Sequence, residues 1–428
     1  MLVLSMVGLM LLLVLQGLPL VFVMGAISVI YMFAADINVA ILGQRMISRL
    51  DSFLILAIPL FYLAGELMNA CKLTDRIVAM ARVFVGHIHG GLAQVNIFSS
   101  MIFAGMSGSA TADTAALGSV LIPAMKKEGY RADFAAAVTV ASAVVGPIIP
   151  PSVAMVIYGA LTDVSIGRLL LAGVLPGLVI IAAEMIFTYF LAKKHGYPKY
   201  PLATFKELSS ATYHGFPALL FPIIIVGGIA SGQFTPTEAA GIAVLYGIIL
   251  GLIVYRNVGI LELWKTIEKV MLASTRILII VAAASAFSWV MVNEKVPQTI
   301  ATFLSTVTDS PIAVLAIMIA FLFVVGLIMV ASSAEIVLAP ILVPVVVQFG
   351  IDPVHFGVIM VFVLIIGGAT PPVGVLLFVA QDIAEISFSQ MVRAMLPYYI
   401  PLVGAVIILA LFPQISLWLP DLVFGSPL

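Results

Sequence analysis

The chain alternates long apolar runs with short polar breaks. Unbroken runs predict membrane spans at Leu2–Leu15, Leu20–Ala34, Phe53–Met68, Leu169–Leu191, Phe216–Ile229, Ala239–Tyr255, Ile277–Val292 and Met395–Leu411. Other runs are only half that length and come in pairs around a polar break. Leu92–Phe103 and Ala115–Met125 flank Gly105–Thr114, and Ile312–Met329 and Ile336–Val347 flank Val330–Glu335. Phe134–Val145 and Val153–Leu161 flank Gly146–Pro151, and Val354–Ile366 and Val373–Val379 flank Gly367–Pro372. Lys72–Val85 is amphipathic and is expected along the membrane surface, while Gly259–Met271 and Val296–Thr308 read as surface or arm helices. A polar connector is expected from Lys193 to about His214. A break in mid-membrane frees backbone N–H and C=O groups. Each costs several kcal/mol in hydrocarbon, so breaks survive only in protein-lined cavities or where something binds.

Composition narrows the class. Hydrophobic residues make up 63% of the 428, and charged residues only 9%, against ~25% in soluble domains. No soluble fold of this size buries so much apolar surface. The single cysteine, Cys71, excludes an internal disulfide or a Cys-rich metal site, and no His, Cys and carboxylate cluster suits a transition metal. A net charge of −1 without a basic run argues against nucleic acid. Long unbroken runs argue against a β-barrel. Met1–Leu15 has no basic start and no small-x-small site, so a cleaved signal peptide is not expected. The fold class is an all-α polytopic membrane protein.

The two halves match at one offset. Gly105 pairs with Gly326, Pro123 with Pro344, Gly129 with Gly350, Gly146 with Gly367, Pro150 and Pro151 with Pro371 and Pro372, and Pro176 with Pro397, all 221 apart. Glycine and proline set backbone geometry, so the shared offset predicts shared structure. The loop with Lys126, Lys127 and Arg131 is basic, and its partner Gln348–Asp352 carries no base. Matching loops of opposite charge bias predict inverted repeats, 1–205 and 206–428, with hairpins at 88–125 and 310–348 and broken helices at 132–162 and 353–384. Both termini then face the periplasm. Of the 19 Lys and Arg residues, only Arg45, Arg49, Arg168 and Lys295 fall outside the cytoplasmic face.

The repeat brings two hairpin tips and two breaks together near the midplane. Half-helix N-termini there attract anionic groups, and freed carbonyls coordinate Na⁺. Ser107, Ser109 and Thr111 add hydroxyls at the first tip, Ser332 and Ser333 at the second, and Ser152 and Thr370 at the breaks. A Gly/Ser stretch alone also fits close helix packing, and a Pro-Pro pair alone fits a kink. Together, and duplicated, they point to a binding site. Asp113 and Glu335 sit beside the tips, one position out of register, where a ligand role and a capping role both remain open. Glu66, Glu184 and Glu238 are expected to be solvated or structural. No HExxH, P-loop or complete nucleophile elbow occurs, so no enzyme is expected and transport would draw on an ion gradient or a partner. A channel or receptor is the second class and a membrane enzyme the third. Elements duplicated within one chain suit alternating access better than a symmetric pore.

Several stretches resemble the large membrane subunit of the tripartite ATP-independent periplasmic (TRAP) transporters. They are Leu50–Asn69, Phe103–Tyr130, Gly146–Gly159, Phe234–Gly247, Gly350–Met360 and Thr370–Gly374. The resemblance implies Na⁺-coupled import of an organic acid, such as a C4-dicarboxylate, sialic acid or a related sugar or keto acid, across the bacterial inner membrane. It implies a periplasmic substrate-binding protein and a small four-helix membrane subunit, here expected on a separate chain, besides the surrounding lipid. It implies an elevator, with Ile88–Leu161 and Pro311–Ala384 sliding against a scaffold of Leu2–Ala34, Leu169–Leu191, Phe216–Tyr255 and Met395–Leu411. By position, the resemblance places substrate at Ser107 and Ser152, and the hydroxyls of the two tips add Ser109 and Ser332 as expected substrate contacts. The resemblance places Na⁺ at Gly146 with the flanking Val145, Pro147 and Ile148, and at Gly367 with Thr370; Ser107 and Gly108 at the first tip and Gly326 and Ser332 at the second are expected to add ligands. Val330 stands where family members commonly have an aspartate and Val363 where they have an asparagine, which bears on substrate identity.

Overall fold

The computed structural model describes residues 6, 8–10, 12, 13, 16–71 and 73–426. The expected span Leu2–Leu15 lies mostly outside these residues, and so does Lys72 at the start of the amphipathic segment. The described chain is helical throughout its ordered elements. The first half contains α1 (Leu20–Ala34), α2 (Ala40–Leu50), α3 (Ala57–Ala70), α4 (Thr74–Val85), α5 (Gly91–Ser107), α6 (Ala110–Lys127), α7 (Ala132–Ala143), α8 (Val153–Thr162), α9 (Ile166–Ala172) and α10 (Val174–His195). The second contains α11 (Phe205–Ala230), α12 (Pro236–Ile249), α13 (Ile260–Asn293), α14 (Val296–Val307), α15 (Pro311–Ile328), α16 (Ala331–Gln348), α17 (Pro353–Gly368), α18 (Val375–Ala384), α19 (Phe388–Met395), α20 (Tyr399–Leu411) and α21 (Gln414–Phe424).

Among the described residues, seven helical stretches are long and apolar enough to cross a membrane. Large apolar side chains such as Phe190, Ile223, Phe321 and Ile400 stand exposed on their outer faces. Such a surface is stable against lipid, not water.

Helix starts follow local chemistry. Ser109, Ser152 and Asp352 cap α6, α8 and α17 by accepting backbone N–H bonds, as from Met155 to Ser152 at 3.1 Å. Thr204 with Glu207, and Thr235 with Glu238, form capping boxes on α11 and α12. Glu238 is thus structural, as expected. The element bounds repeat at the offset read from glycine and proline. α5 and α15 end at 107 and 328, α6 and α16 run 110–127 and 331–348, and α7 and α17 begin at 132 and 353. Pro150–Pro151 and Pro371–Pro372 are both cis, and Gly129 and Gly350 both have positive φ.

Three segments differ from expectation. Gly259–Met271 and Ile277–Val292 are one helix, α13, because Leu272–Arg276 contains no helix breaker. The connector from Lys193 to His214 is largely helical, with only Gly196–Thr204 between α10 and α11. α2, polar enough to escape an apolar-run search, carries Gln44, Arg45 and Arg49.

The packing forms two groups. α3 packs on α12 and α13, α13 also on α1 and α2, and α11 on α4 and α12. The hairpins α5–α6 and α15–α16 pack with the broken pairs α7–α8 and α17–α18. α10 and α20, expected in the scaffold as Leu169–Leu191 and Met395–Leu411, pack on each other and on α5 and α17 respectively, and so sit with the hairpin group. Close contacts explain this. Gly177 lies directly under Ile149 of the first break, and the Thr188 and Tyr398 hydroxyls meet at 3.2 Å. The groups touch where α4 meets α5, α3 meets α5 and α8, α11 meets α5 and α9, and α13 meets α16.

Candidate functional site

Both tips and both breaks line one cavity of about 210 Å³. The first half contributes Gly108, Ser109 and Pro147, and the second Ser332, Glu335 and Gly368, with Tyr62 and Ile277 closing it from the other group. A second, more polar pocket of about 550 Å³ adjoins it and shares Tyr62, Ser109 and Thr111. Its wall adds Ser107, Asn69, Glu66 and Lys269, and Lys269 Nζ donates to Glu66 Oε2 at 2.7 Å. Glu66 is thus paired across α3 and α13.

The first tip is built around Gly108, whose φ of +59° turns the chain between α5 and α6. Ser107 Oγ donates to Asp113 Oδ1, and the Ser109 backbone N–H donates to Ser107 Oγ at 3.2 Å. Asp113 is fully buried, and its Oδ2 has no hydrogen-bond partner. A Cβ on Gly146 would lie 2.6 Å from that oxygen. The carboxylate therefore sits between the first tip and the first break. A buried carboxylate oxygen with no protein partner is the kind of group that a bound cation satisfies.

The other sequence-predicted residues fall in distinct places. Ser332 and Ser109 reach the central cavity. Ser107 lines the polar pocket. Ser152 is fully buried; its hydroxyl donates to Pro147 O at 2.5 Å and caps α8, so it is not brought to the cavity lining. Val145 O accepts from both Ile148 N and Ile149 N, and Ile148 O packs against Gly173. Thr370 Oγ1 donates to Ile366 O at 2.7 Å. Gly326 and Gly367 lie backbone to backbone: a Cβ on Gly367 would be 2.6 Å from Gly326 Cα. That approach ties the second tip's helix to the second break.

Three features emerge only in the packing. Asp113 and Glu335, for which the sequence leaves a ligand role and a capping role open, are both buried beside the tips, and α3 and α13 reach the tips through Tyr62 and Ile277, which no run of residues predicts. Glu184, expected to be solvated or structural, is 1% exposed in α10 with both oxygens unpartnered. It lies in one unbroken apolar run, where only the packing of α5 and α20 reveals its burial.

Residues 7–415 match the family described as tripartite ATP-independent periplasmic transporter, DctM component. The chain is 40% identical over 383 residues to the sialic acid TRAP transporter large permease protein SiaM of Vibrio cholerae, covering 90% of each chain. It is 36% identical over 392 residues to the C4-dicarboxylate TRAP transporter large permease protein DctM of Pseudomonas aeruginosa, covering 92% of each. It is 35% identical over 385 residues to the 2,3-diketo-L-gulonate TRAP transporter large permease protein YiaN of Escherichia coli, covering 90% of this chain and 91% of that one. Among solved structures, its fold is similar to that of the Alcanivorax borkumensis YdaH transporter, with a TM-score of 0.61 at 16% identity, covering 97% of this chain and 99% of that one.

Proposed function

The chain belongs to the DctM component family of the TRAP transporters, and we propose that it carries an organic acid across the bacterial inner membrane in symport with Na⁺. The acid class follows from the substrates named for the three relatives above, each of which carries a carboxylate. The periplasmic binding protein and the small four-helix membrane subunit are proposed partners on the same footing. The observation that carries the Na⁺ reading is Asp113 Oδ2, a buried oxygen without a partner, beside Gly146. Hard cations take oxygen ligands. Ser107, Asp113 and the backbone around Gly108 and Gly146 would hold one ion. Gly326, Ser332, Gly367 and Thr370 would hold a second with their oxygens. The organic acid would occupy the cavity shared by Ser109 and Ser332.

The two halves are proposed as inverted repeats, 1–205 and 206–428. The hairpin group, now including α9, α10 and α19–α21, would move as an elevator against α1–α3 and α11–α13. Moving the site whole keeps its polar groups paired, whereas splitting it would expose them. The polar pocket beside the first tip would be the site's opening toward water. Purified protein in detergent tests the ion directly. Na⁺ should raise the unfolding temperature where K⁺ at equal ionic strength does not, and the Na⁺ effect should be lost in Asp113→Ala. Equal stabilisation by both ions would overturn the assignment.

A further inference from the structure

We propose that Glu335 makes the central cavity selective for compact zwitterions, acids that carry an ammonium or amidinium group near their carboxylate. The proposal rests on the transporter reading and names its substrate class.

Glu335 lies one turn into α16, the inner helix of the second hairpin, and lines the cavity. It is 2% exposed, its Oε1 has no hydrogen-bond partner, and no Lys, Arg or His among the described residues forms an ion pair with it. The position matters. At the repeat offset of 221, Asp113 corresponds to Ala334 and Glu335 to Thr114. One residue turns a helix by about 100°. The first hairpin thus turns its carboxyl toward its own break, and the second turns it into the shared cavity.

The same cavity offers an anion site. The N-termini of α16 and α18 both open on it through Ala331 and Val375, and neither has a side-chain cap. Free N–H groups and the helix dipole favour a carboxylate there. Much of the remaining wall is aliphatic, with Val153, Ile157 and Leu364. A dianion would set a second negative charge against Glu335 with no basic side chain on the cavity wall to offset it. A zwitterion satisfies both ends at once: carboxylate on the helix N-termini, cation on Glu335. The cavity, about 210 Å³, is below the ~300 Å³ at which ordinary small-molecule pockets begin, so the part of the ligand held between the two tips is compact.

Matched pairs of probes test this. The full-length protein, purified in detergent with Na⁺, is titrated with 4-aminobutyrate against butyrate, β-alanine against propionate, and proline against cyclopentanecarboxylate, with succinate as a dianion. Thermal stabilisation gives the half-maximal concentration. The expected result is that at least one amino member acts at a concentration tenfold or more below its plain acid. Glu335→Gln should erase that preference while leaving Na⁺ stabilisation intact, which also shows that the variant folds. Three results would overturn the proposal: plain acids or succinate binding as well as the amino acids, no probe binding at all, or Glu335→Gln weakening Na⁺ stabilisation as much as ligand stabilisation. The last would make Glu335 a Na⁺ ligand. Na⁺-dependent binding of succinate alone would sink the zwitterion class and keep the transporter reading. Absence of any Na⁺ effect on the wild type would sink that reading itself.

Discussion

Ser107 donates its hydroxyl hydrogen to Asp113 across the turn that closes the first hairpin, and the other oxygen of Asp113 faces Gly146 in the first break. One carboxylate thus joins two elements that lie 33 residues apart, from 113 to 146. The bond holds Oδ1, and Oδ2 has no hydrogen-bond partner.

Asp113→Asn keeps an oxygen to accept from Ser107 but removes the negative charge. The Na⁺ concentration for half-maximal uptake should rise tenfold or more, equivalent to about 1.4 kcal/mol. Ser107→Ala, which removes one neutral ligand, should raise it less, by roughly threefold. Uptake measured across a Na⁺ series in cells expressing each variant checks both. An unchanged half-maximal concentration in Asp113→Asn would remove the carboxylate from the ion site.

Gly367→Ala should destabilise the fold by about 1–3 kcal/mol, because the added methyl has only the Gly326 backbone to push against. Gly241→Ala, with nothing within 4 Å of its Cβ position, should be neutral or stabilising by up to ~1 kcal/mol. Thermal unfolding of the two variants side by side gives the contrast. Equal shifts would mean that the close approach carries no energetic weight.

Much of this arrangement was legible in sequence because its punctuation is chemical. Gly108 and the Ser109 cap mark the first tip, and Pro150–Pro151 and Pro371–Pro372 mark the breaks, each embedded in an apolar run that makes the interruption conspicuous. What was not legible depends on partners distant in sequence. Lys269 reads as a surface lysine on an arm helix until α13 proves continuous and sets it against Glu66. Glu184 reads as one polar residue in a span, and its burial comes from α5 and α20. The grouping of α10 with the hairpins depends on Gly177 under Ile149, a contact no periodicity encodes.

Topology can be tested at the paired loops. Glu128, which follows α6, and Val347, exposed in the last turn of α16, lie near Gly129 and Gly350, whose positive φ makes the glycines themselves poor cysteine positions. Single cysteines at 128 and 347, with Cys71→Ser, should react with an impermeant maleimide from opposite sides of the membrane. Labelling of both from the periplasm of intact cells would refute the inverted arrangement.

Two ion pairs supply a test of the moving group. Arg49 of α2 meets Asp163 after α8 at 3.0 Å, and so bridges the two packing groups. Lys126 meets Glu385 at 3.6 Å within the hairpin group. Asp163 and Glu385 both hold φ of 59°, so cysteines there carry the same local cost. Bridging cysteines at 49 and 163 with a bifunctional maleimide should stop uptake, by a factor of ten or more. The same reagent across 126 and 385 should leave most of it. Full activity with 49 and 163 joined would exclude an elevator.

The decisive experiment is uptake into proteoliposomes holding the permease with its small membrane subunit, supplied with the loaded binding protein. With an inward Na⁺ gradient, labelled organic acid should accumulate above its external concentration, and accumulation should collapse when K⁺ replaces Na⁺ or when Asp113→Asn replaces the wild type. Equal accumulation in K⁺, or accumulation untouched by Asp113→Asn, would contradict a Na⁺-coupled site built between the first tip and the first break.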